Sequence, residues 1–253
     1  YKPKIVIHLA ALPLAKLDNL NIEEAIEGSV ESTSFILESI STLKKNLNYK
    51  FDRFVYASSS MVYGDFKKSV IDENHSTNPK EIYGTAKLAG EVITKGLCKF
   101  HQIDYAIVRP SAVYGPTDMN NRVTQIFLDK AIKNEMISVQ GKDEKLDFTY
   151  VKDIAMGFYL AGTKPKGKNE TFNITCGKAQ KLIDYVKILK KYFPNLKYQI
   201  LPRDEFRPKR GTLSTKKALR LLGYKSKYSL EKGLKEYIDF KKKYESWFGY
   251  SIL

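Results

Sequence analysis

The sequence predicts an α/β fold: a doubly wound parallel sheet joined to a smaller α+β unit. Three observations predict it. The runs KIVIHLA (4–10), FDRFVYASS (51–59) and DYAIVRPSAVYG (104–115) are rich in β-branched residues and almost continuously apolar, as strands buried on both faces are. Segments with apolar residues at helical spacing separate them, and strand–helix–strand alternation at this distance implies right-handed crossovers and parallel pairing. After residue 120 the alternation gives way to short strands interspersed with helices.

The first helix is expected over 21–47, with Ile22, Ala25, Ile26, Val30, Phe35, Ile36, Ile40 and Leu43 on or near one stripe. The second, over 83–100, carries Ala86, Ala89, Ile93, Leu97 and Phe100 at helical spacing. Beyond it a helix at 122–133 leads to short strands near MISVQG, LDFTYV, ETFNIT and KYQILP, with helices at 178–192, 214–222 and 229–246. The expected division is a sheet domain over 1–160 and a smaller domain over 161–253, interleaved with parts of 116–150. A doubly wound dinucleotide fold opens on a strand, a Gly-rich turn and a helix. Gly84, Gly90 and Gly96 lie inside a helix and form no such turn, and the chain starts at Tyr1 directly before a strand. The reading is a fragment lacking the first strands of its sheet.

With 43% hydrophobic and 28% charged residues, the chain has the composition of a folded globular protein. Its longest apolar run, IVIHLAALPLA, is interrupted by His8 and Pro13 and is too short to span a membrane. Cys98 and Cys176 stand alone, as in a reduced cytoplasmic protein. His8, His75 and His101 have no ligand spacing, so no metal is expected. The formal charge of +15 comes from lysines spread along helices, which favours a solvated basic surface over a nucleic-acid site.

Tyr83 and Lys87, in EIYGTAKLAGE, raise the question of chemistry. Four Tyr-x-x-x-Lys strings occur in a chain of 17 tyrosines and 36 lysines, so the string alone decides nothing. Context favours this one. In a helix the two side chains share a face, beside Gly90 and Thr94, whose small size lets the helix approach a sheet or ligand. A lysine cation there is expected to lower the phenol pKa from ~10 toward neutrality, making Tyr83 a usable acid and base. Ser58, Ser59 and Ser60 end a strand, placing hydroxyls at the carboxyl edge of the sheet, where open α/β folds bind ligands.

Six segments in order, VIHLAA, FVYASSSMVYG, YGTAKLAGE, RPSAVYGP, LDFTYVKDIA and LLGYKSKYSLEKGL, resemble the extended short-chain dehydrogenase/reductase family, and within it the NAD-dependent nucleotide-sugar epimerases and dehydratases. The resemblance runs over essentially the whole chain. It implies a Rossmann-like sheet, with Tyr83 as catalytic acid/base, Lys87 as its cationic neighbour and ribose ligand, and Ser59 as the catalytic hydroxyl. It also implies that Ala10, Ala11, Ser58, Pro110 and Val113 lie along the cofactor, NAD with NADP not excluded. Ala112, Arg122, Arg207 and Arg210 are the expected substrate contacts, alongside Ser59.

Departures from the family pattern refine this. Sugar-nucleotide 4,6-dehydratases carry an Asp-Glu pair where this chain has Ser60 and Met61, and nucleotide-glucuronate decarboxylases also use a Glu at the latter place. Neither residue here can serve as a proton donor and acceptor at neutral pH, which disfavours a 4,6-dehydratase. Ala112 replaces a frequent Asn and Leu146 a frequent Arg, so a phosphate ligand is expected from RDEFRPKRG, which offers Arg203, Arg207 and Arg210. The expected activity is C4 epimerisation of a UDP-hexose-like nucleotide sugar by a cytoplasmic homodimer built on the helices at 21–47 and 84–101. The alternatives are a nucleotide-sugar reductase or dehydrogenase, and a non-catalytic dinucleotide sensor.

Overall fold

The computed structural model describes residues 2–11, 22–47 and 49–244. In chain order the elements begin with β1 (Ile5–His8), α1 (Ile22–Ile26), a π-helical turn (Glu27–Glu31), α2 (Ser32–Leu47), β2 (Arg53–Ala57) and a 3-10 turn (Ser60–Tyr63). Then follow β3 (Val70–Ile71), α3 (Ile82–Phe100), β4 (Tyr105–Pro110), β5 (Val113–Tyr114), α4 (Val123–Ile132), β6 (Ile137–Gln140), β7 (Lys145–Leu146) and β8 (Thr149–Tyr150). The chain continues through α5 (Val151–Thr163), β9 (Glu170–Ile174), β10 (Gln180–Lys181), α6 (Leu182–Tyr192), β11 (Tyr198–Leu201), β12 (Thr212–Leu213), α7 (Lys216–Leu222) and α8 (Leu230–Lys243).

Four strands form the main sheet in the order β1-β2-β4-β9, all parallel. Alternate side chains of β2 show why both faces must be covered. Phe54 and Tyr56 pack with Leu37, Ile40 and Cys98 under α2 and α3, whereas Val55 joins Ile154, Phe158 and Ala161 of α5 on the other side. Helices therefore sandwich the sheet, as the alternation of the sequence required.

Strand Glu170–Ile174, expected in the smaller unit, is the fourth strand of the main sheet, and the expected boundary at 160 runs through α5. Helix α5 itself was missing from the sequence reading. Its signal is VKDIAMGFYLAGT, with Ile154, Phe158 and Ala161 buried on one face. It lies so close to the sheet that a Cβ on Gly157 would fall 2.1 Å from Ile174.

The smaller unit has its own core, in which Leu128, Ile137, Val139, Tyr185, Leu189 and Leu234 are buried. Short strand pairs accompany it: β6 with β11, β7 with β10 and β5 with β8 around this core, and β3 with β12 in a separate small cluster. Asp147 ties several of these loops together. Fully buried, it accepts hydrogen bonds from Thr175 Oγ1 and from the backbone N–H groups of Gly177 and Leu213. Burial pushes its carboxyl up to about 6 against those donors.

Two expected apolar stripes differ from those observed. The helix expected at 21–47 is interrupted by the π-helical turn, and its buried positions include Ala25, Ser29, Thr33, Leu37 and Ile40, while Phe35 is 70% exposed. On α3 the buried face is Gly84, Ala86, Lys87, Gly90, Glu91, Thr94 and Cys98, while Phe100 is 79% exposed. A polar, small-residue face turned to the sheet is the opposite of an ordinary core helix. Among the described residues no helix is long and apolar enough to cross a membrane.

Candidate active site

The carboxyl ends of β1, β2 and β4 open on one edge of the sheet, and α3 runs across it. Chain direction fixes this: every strand of a parallel sheet delivers its following loop to the same side. After Ala57 the chain leaves β2 through Ser58 and Ser59 into the tight turn Ser60–Tyr63. Ser59 is extended and caps that turn, its Oγ accepting a hydrogen bond from the Met61 N–H at 3.2 Å.

The face of α3 then brings the predicted residues together. The Ser59 hydroxyl lies near enough to the Tyr83 phenol to favour its ionised form. One turn on, Lys87 Nζ donates to the Ala57 carbonyl at 2.9 Å and lies 5.8 Å from the centre of the Tyr83 ring. Close approach of α3 makes this reach possible: a Cβ on Gly90 would fall 2.0 Å from the Tyr56 hydroxyl and 2.7 Å from the Ser29 carbonyl. Only a glycine fits there.

The electrostatics correct one expectation. Lys87 does not bring the Tyr83 pKa down; the phenol is raised above its usual value by burial, and Arg122 and the Ser59 hydroxyl act against that rise. The reason lies at Lys87 itself, whose ammonium is turned onto the Ala57 carbonyl and is pushed down to about 8 by burial. Arg122, at the start of α4, is the cation that favours the phenolate. His8, buried at the end of β1, shares the same electropositive surroundings: burial, then Lys87, lowers its pKa.

A second buried network holds the serine turn and the helix in register. Glu91 accepts from Arg109 Nε at 2.8 Å and Nη2 at 2.6 Å, and from Ser58 Oγ at 2.5 Å. Arg109 also stacks on the Tyr63 ring at 4.8 Å. The Ser58 hydroxyl, expected along the cofactor, is thus committed to Glu91. Neither Glu91 nor Arg109 was singled out from the sequence, although both sit inside motifs quoted for other residues.

The remaining expected contacts scatter around this centre. Ala10 is exposed and Ala11 half-buried just past β1. Pro110, Ala112 and Val113 are half-buried where β4 passes into β5, Ala112 holding a left-handed φ of 39°. Arg122 Nη1 reaches the Val113 carbonyl at 3.5 Å. Arg207 is exposed and paired with Asp204, and Arg203 is bonded to Glu144. Arg210 turns inward, its Nη1 3.6 Å from Met61 Sδ. Glu81, two residues before Tyr83 and likewise missed from the sequence, is a buried carboxyl at the start of α3.

Residues 1–175 match the NAD dependent epimerase/dehydratase family. Across 94% of this chain and 77% of its own length, a putative UDP-glucose 4-epimerase of Methanocaldococcus jannaschii is 32% identical. The crystal structure of the UDP-glucose 4-epimerase of Thermotoga maritima with UDP-glucose superposes with a TM-score of 0.85 at 26% identity, covering 96% of this chain and 78% of that one. The UDP-glucuronic acid 4-epimerase of Bacillus cereus, in complex with UDP-glucuronic acid and NAD, gives 0.86 at 26% identity over 95% and 76%.

Proposed function

Because the chain belongs to the NAD dependent epimerase/dehydratase family, we propose that it catalyses NAD-dependent epimerisation of a UDP-hexose at C4, through a transient 4-keto sugar. The placing of Ser59 at the carboxyl end of β2 beside Tyr83 of α3, with the Lys87 ammonium 5.8 Å from the Tyr83 ring, is the observation that carries this reading. The relatives named above supply the substrate class.

The residues present fit the nicotinamide end of NAD. Ala10, small and exposed among the described residues, follows the carboxyl end of β1, and Lys87 brings an ammonium to the same edge for a ribose hydroxyl. Held there, NAD would supply the hydride acceptor and donor that oxidation and reduction at C4 require. The chain's own residues move the protons and place the sugar. Tyr83 takes the proton of the 4-hydroxyl as the ketone forms and gives it back as the alcohol is restored. Ser59 holds the same oxygen, and Arg122 stabilises the phenolate that Tyr83 becomes. Arg207, exposed on the loop before β12, is suited to a substrate phosphate.

Met61 supports an epimerase over a 4,6-dehydratase: it is buried, with Arg210 against its sulfur, and supplies no acid or base for elimination. Tyr83→Phe should lower interconversion of UDP-glucose and UDP-galactose by about 10²–10⁴-fold, the range of a positioned acid/base, with UDP affinity retained. Near-normal turnover in that variant would remove Tyr83 from the mechanism. The same assay separates the alternatives, since a reductase or dehydrogenase would change the NADH absorbance stoichiometrically and a sensor would turn over nothing.

We also infer a homodimer. Ile22, Ile26 and Phe35 on α1 and α2, and Val92 and Phe100 on α3, are large apolar side chains left exposed on neighbouring helices. A two-fold axis would bury both patches against their copies. A monomer by sedimentation at micromolar concentration would overturn this. The lone thiols Cys98 and Cys176 support a cytoplasmic location.

A further inference from the structure

Glu91 is buried more deeply than Lys87 on the same helix, at 1% exposure, and the proposed chemistry makes no use of it. Tyr83, Lys87 and Glu91 recur every four residues and so share one face of α3, with Glu91 about 12 Å along the axis from Tyr83. Both carboxylate oxygens are engaged. Arg109 donates to Oε1 through Nε at 2.8 Å and to Oε2 through Nη2 at 2.6 Å, a bidentate pair. Oε1 accepts a further hydrogen bond from Ser58 Oγ at 2.5 Å. The arginine alone balances the buried charge, so the serine bond is not needed for neutrality. Its consequence is geometric.

Ser58 is where the serine turn leaves the sheet. Its N–H still donates to the Val108 carbonyl of β4 at 2.9 Å. Ser59 follows, extended, and opens the turn, inside which Val62 and Gly64 donate to the carbonyls of Ser59 and Met61 at 3.3 Å each. The far end of the turn is Tyr63. Its ring lies 4.8 Å from the Arg109 guanidinium, and its hydroxyl donates to Asn173 Oδ1 of β9 at 2.8 Å. The Glu91–Arg109 pair therefore reaches both ends of the turn: Ser58 directly, and Tyr63 through the arginine. Ser59 stands between these two anchors.

We propose that Glu91 and Ser58 are positioning residues: the carboxylate on α3 clamps the serine turn to the helix that carries Tyr83, and so fixes where the Ser59 hydroxyl stands relative to the phenol. The 4-hydroxyl of the sugar must meet both groups at once, and a misplacement of about 1 Å in such a constellation can cost about 10²-fold in rate. Neither Glu91 nor Ser58 exchanges a proton with the sugar in this role.

This rests on the epimerase reading, and its test compares variants in the full-length enzyme with NAD bound. Ser58→Ala removes the hydroxyl and leaves the Glu91–Arg109 pair whole. Its kcat for interconversion of UDP-glucose and UDP-galactose should fall by about 10-fold, with KM unchanged. In a Ser59→Ala background the same substitution should change kcat by less than about twofold, because the group it positions is already gone. Glu91→Asp keeps a charge opposite Arg109 but draws the acceptor back from Ser58 by one methylene. It should match Ser58→Ala and add nothing to it, and it reads the same link should Ser58→Ala fail to fold. A packing role alone would lower the denaturation midpoint with kcat per NAD-loaded site unchanged. That result overturns the proposal, as does a raised KM with kcat held, or a Ser58→Ala loss that persists undiminished beside Ser59→Ala. Failure of the epimerase reading would show instead as no interconversion by the wild type, or as undiminished turnover by Tyr83→Phe.

Discussion

Two glycines of α3 set up an internal comparison. Replacing either by alanine should stabilise the helix by about 0.5–1 kcal/mol, because alanine surrenders less backbone entropy on folding. At Gly96 nothing lies within 4 Å of the added Cβ, so the full gain should appear. At Gly90 the same methyl falls 2.0 Å from the Tyr56 hydroxyl and 2.7 Å from the Ser29 carbonyl. One of these neighbours is the end of a side chain fully buried in the core, the other is backbone, so neither can yield without moving the sheet or the π-helical turn. Overpacking of this kind costs about 1–3 kcal/mol or more and should outweigh the helical gain. Urea denaturation monitored by circular dichroism should separate the two variants by about 1–3 kcal/mol, the overpacking cost itself, with unchanged m-values. Turnover should fall with Gly90→Ala and stay at the wild-type level with Gly96→Ala, since only the first pushes Tyr83 and Lys87 off the sheet edge. Equal stabilities for the two variants would refute the account of α3 as a helix held at contact distance.

Three further outcomes follow from the same geometry. Glu91→Gln should destabilise the fold by about 3–5 kcal/mol, because it strands the Arg109 guanidinium, which is 4% exposed, without its carboxylate; a denaturation midpoint within error of wild type would contradict this. Ala112→Gly should raise stability by about 0.5–1 kcal/mol, since alanine at a φ of 39° is strained where glycine is free, and a lowered thermal midpoint would exclude strain as the explanation. Glu81 has a folded pKa of about 7 against an unfolded 4.5, so the stability it lends is complete below pH 4.5 and lost as pH rises through 7. Glu81→Gln should therefore flatten the stability profile across that window and be the more stable protein at pH 8, by up to roughly 3 kcal/mol; a parallel profile would disprove it.

What was legible in the sequence divides along a physical line. Periodicity and motif order report which face of an element meets the core, and they gave the parallel sheet, the serine turn and the Tyr83–Lys87 pair on one helical face. Strand 170–174 was placed in the wrong layer because a strand buried on both faces carries no mark of which sheet it joins; only the position of α5 decides that, and its stripe of Ile154, Phe158 and Ala161 went unread. The apolar stripe of α3 misled for a related reason. Spacing shows which residues share a face but not which face is turned inward, and here Gly84, Gly90 and Thr94 go inward while Val92, Gly96 and Phe100 go outward. Charge is harder still. Proximity in sequence suggested that Lys87 tunes Tyr83, yet the cation that acts on the phenol is Arg122, 39 positions further along the chain, and the carboxyl that opposes it is Glu81. A side chain's field depends on where its end group points and how much water surrounds it. Lys87 spends its ammonium on the Ala57 carbonyl. Loop closure between distant segments brings Arg122 in instead. The residues proposed for catalysis could be named from the chain, whereas the network around their end groups is a property of the folded edge.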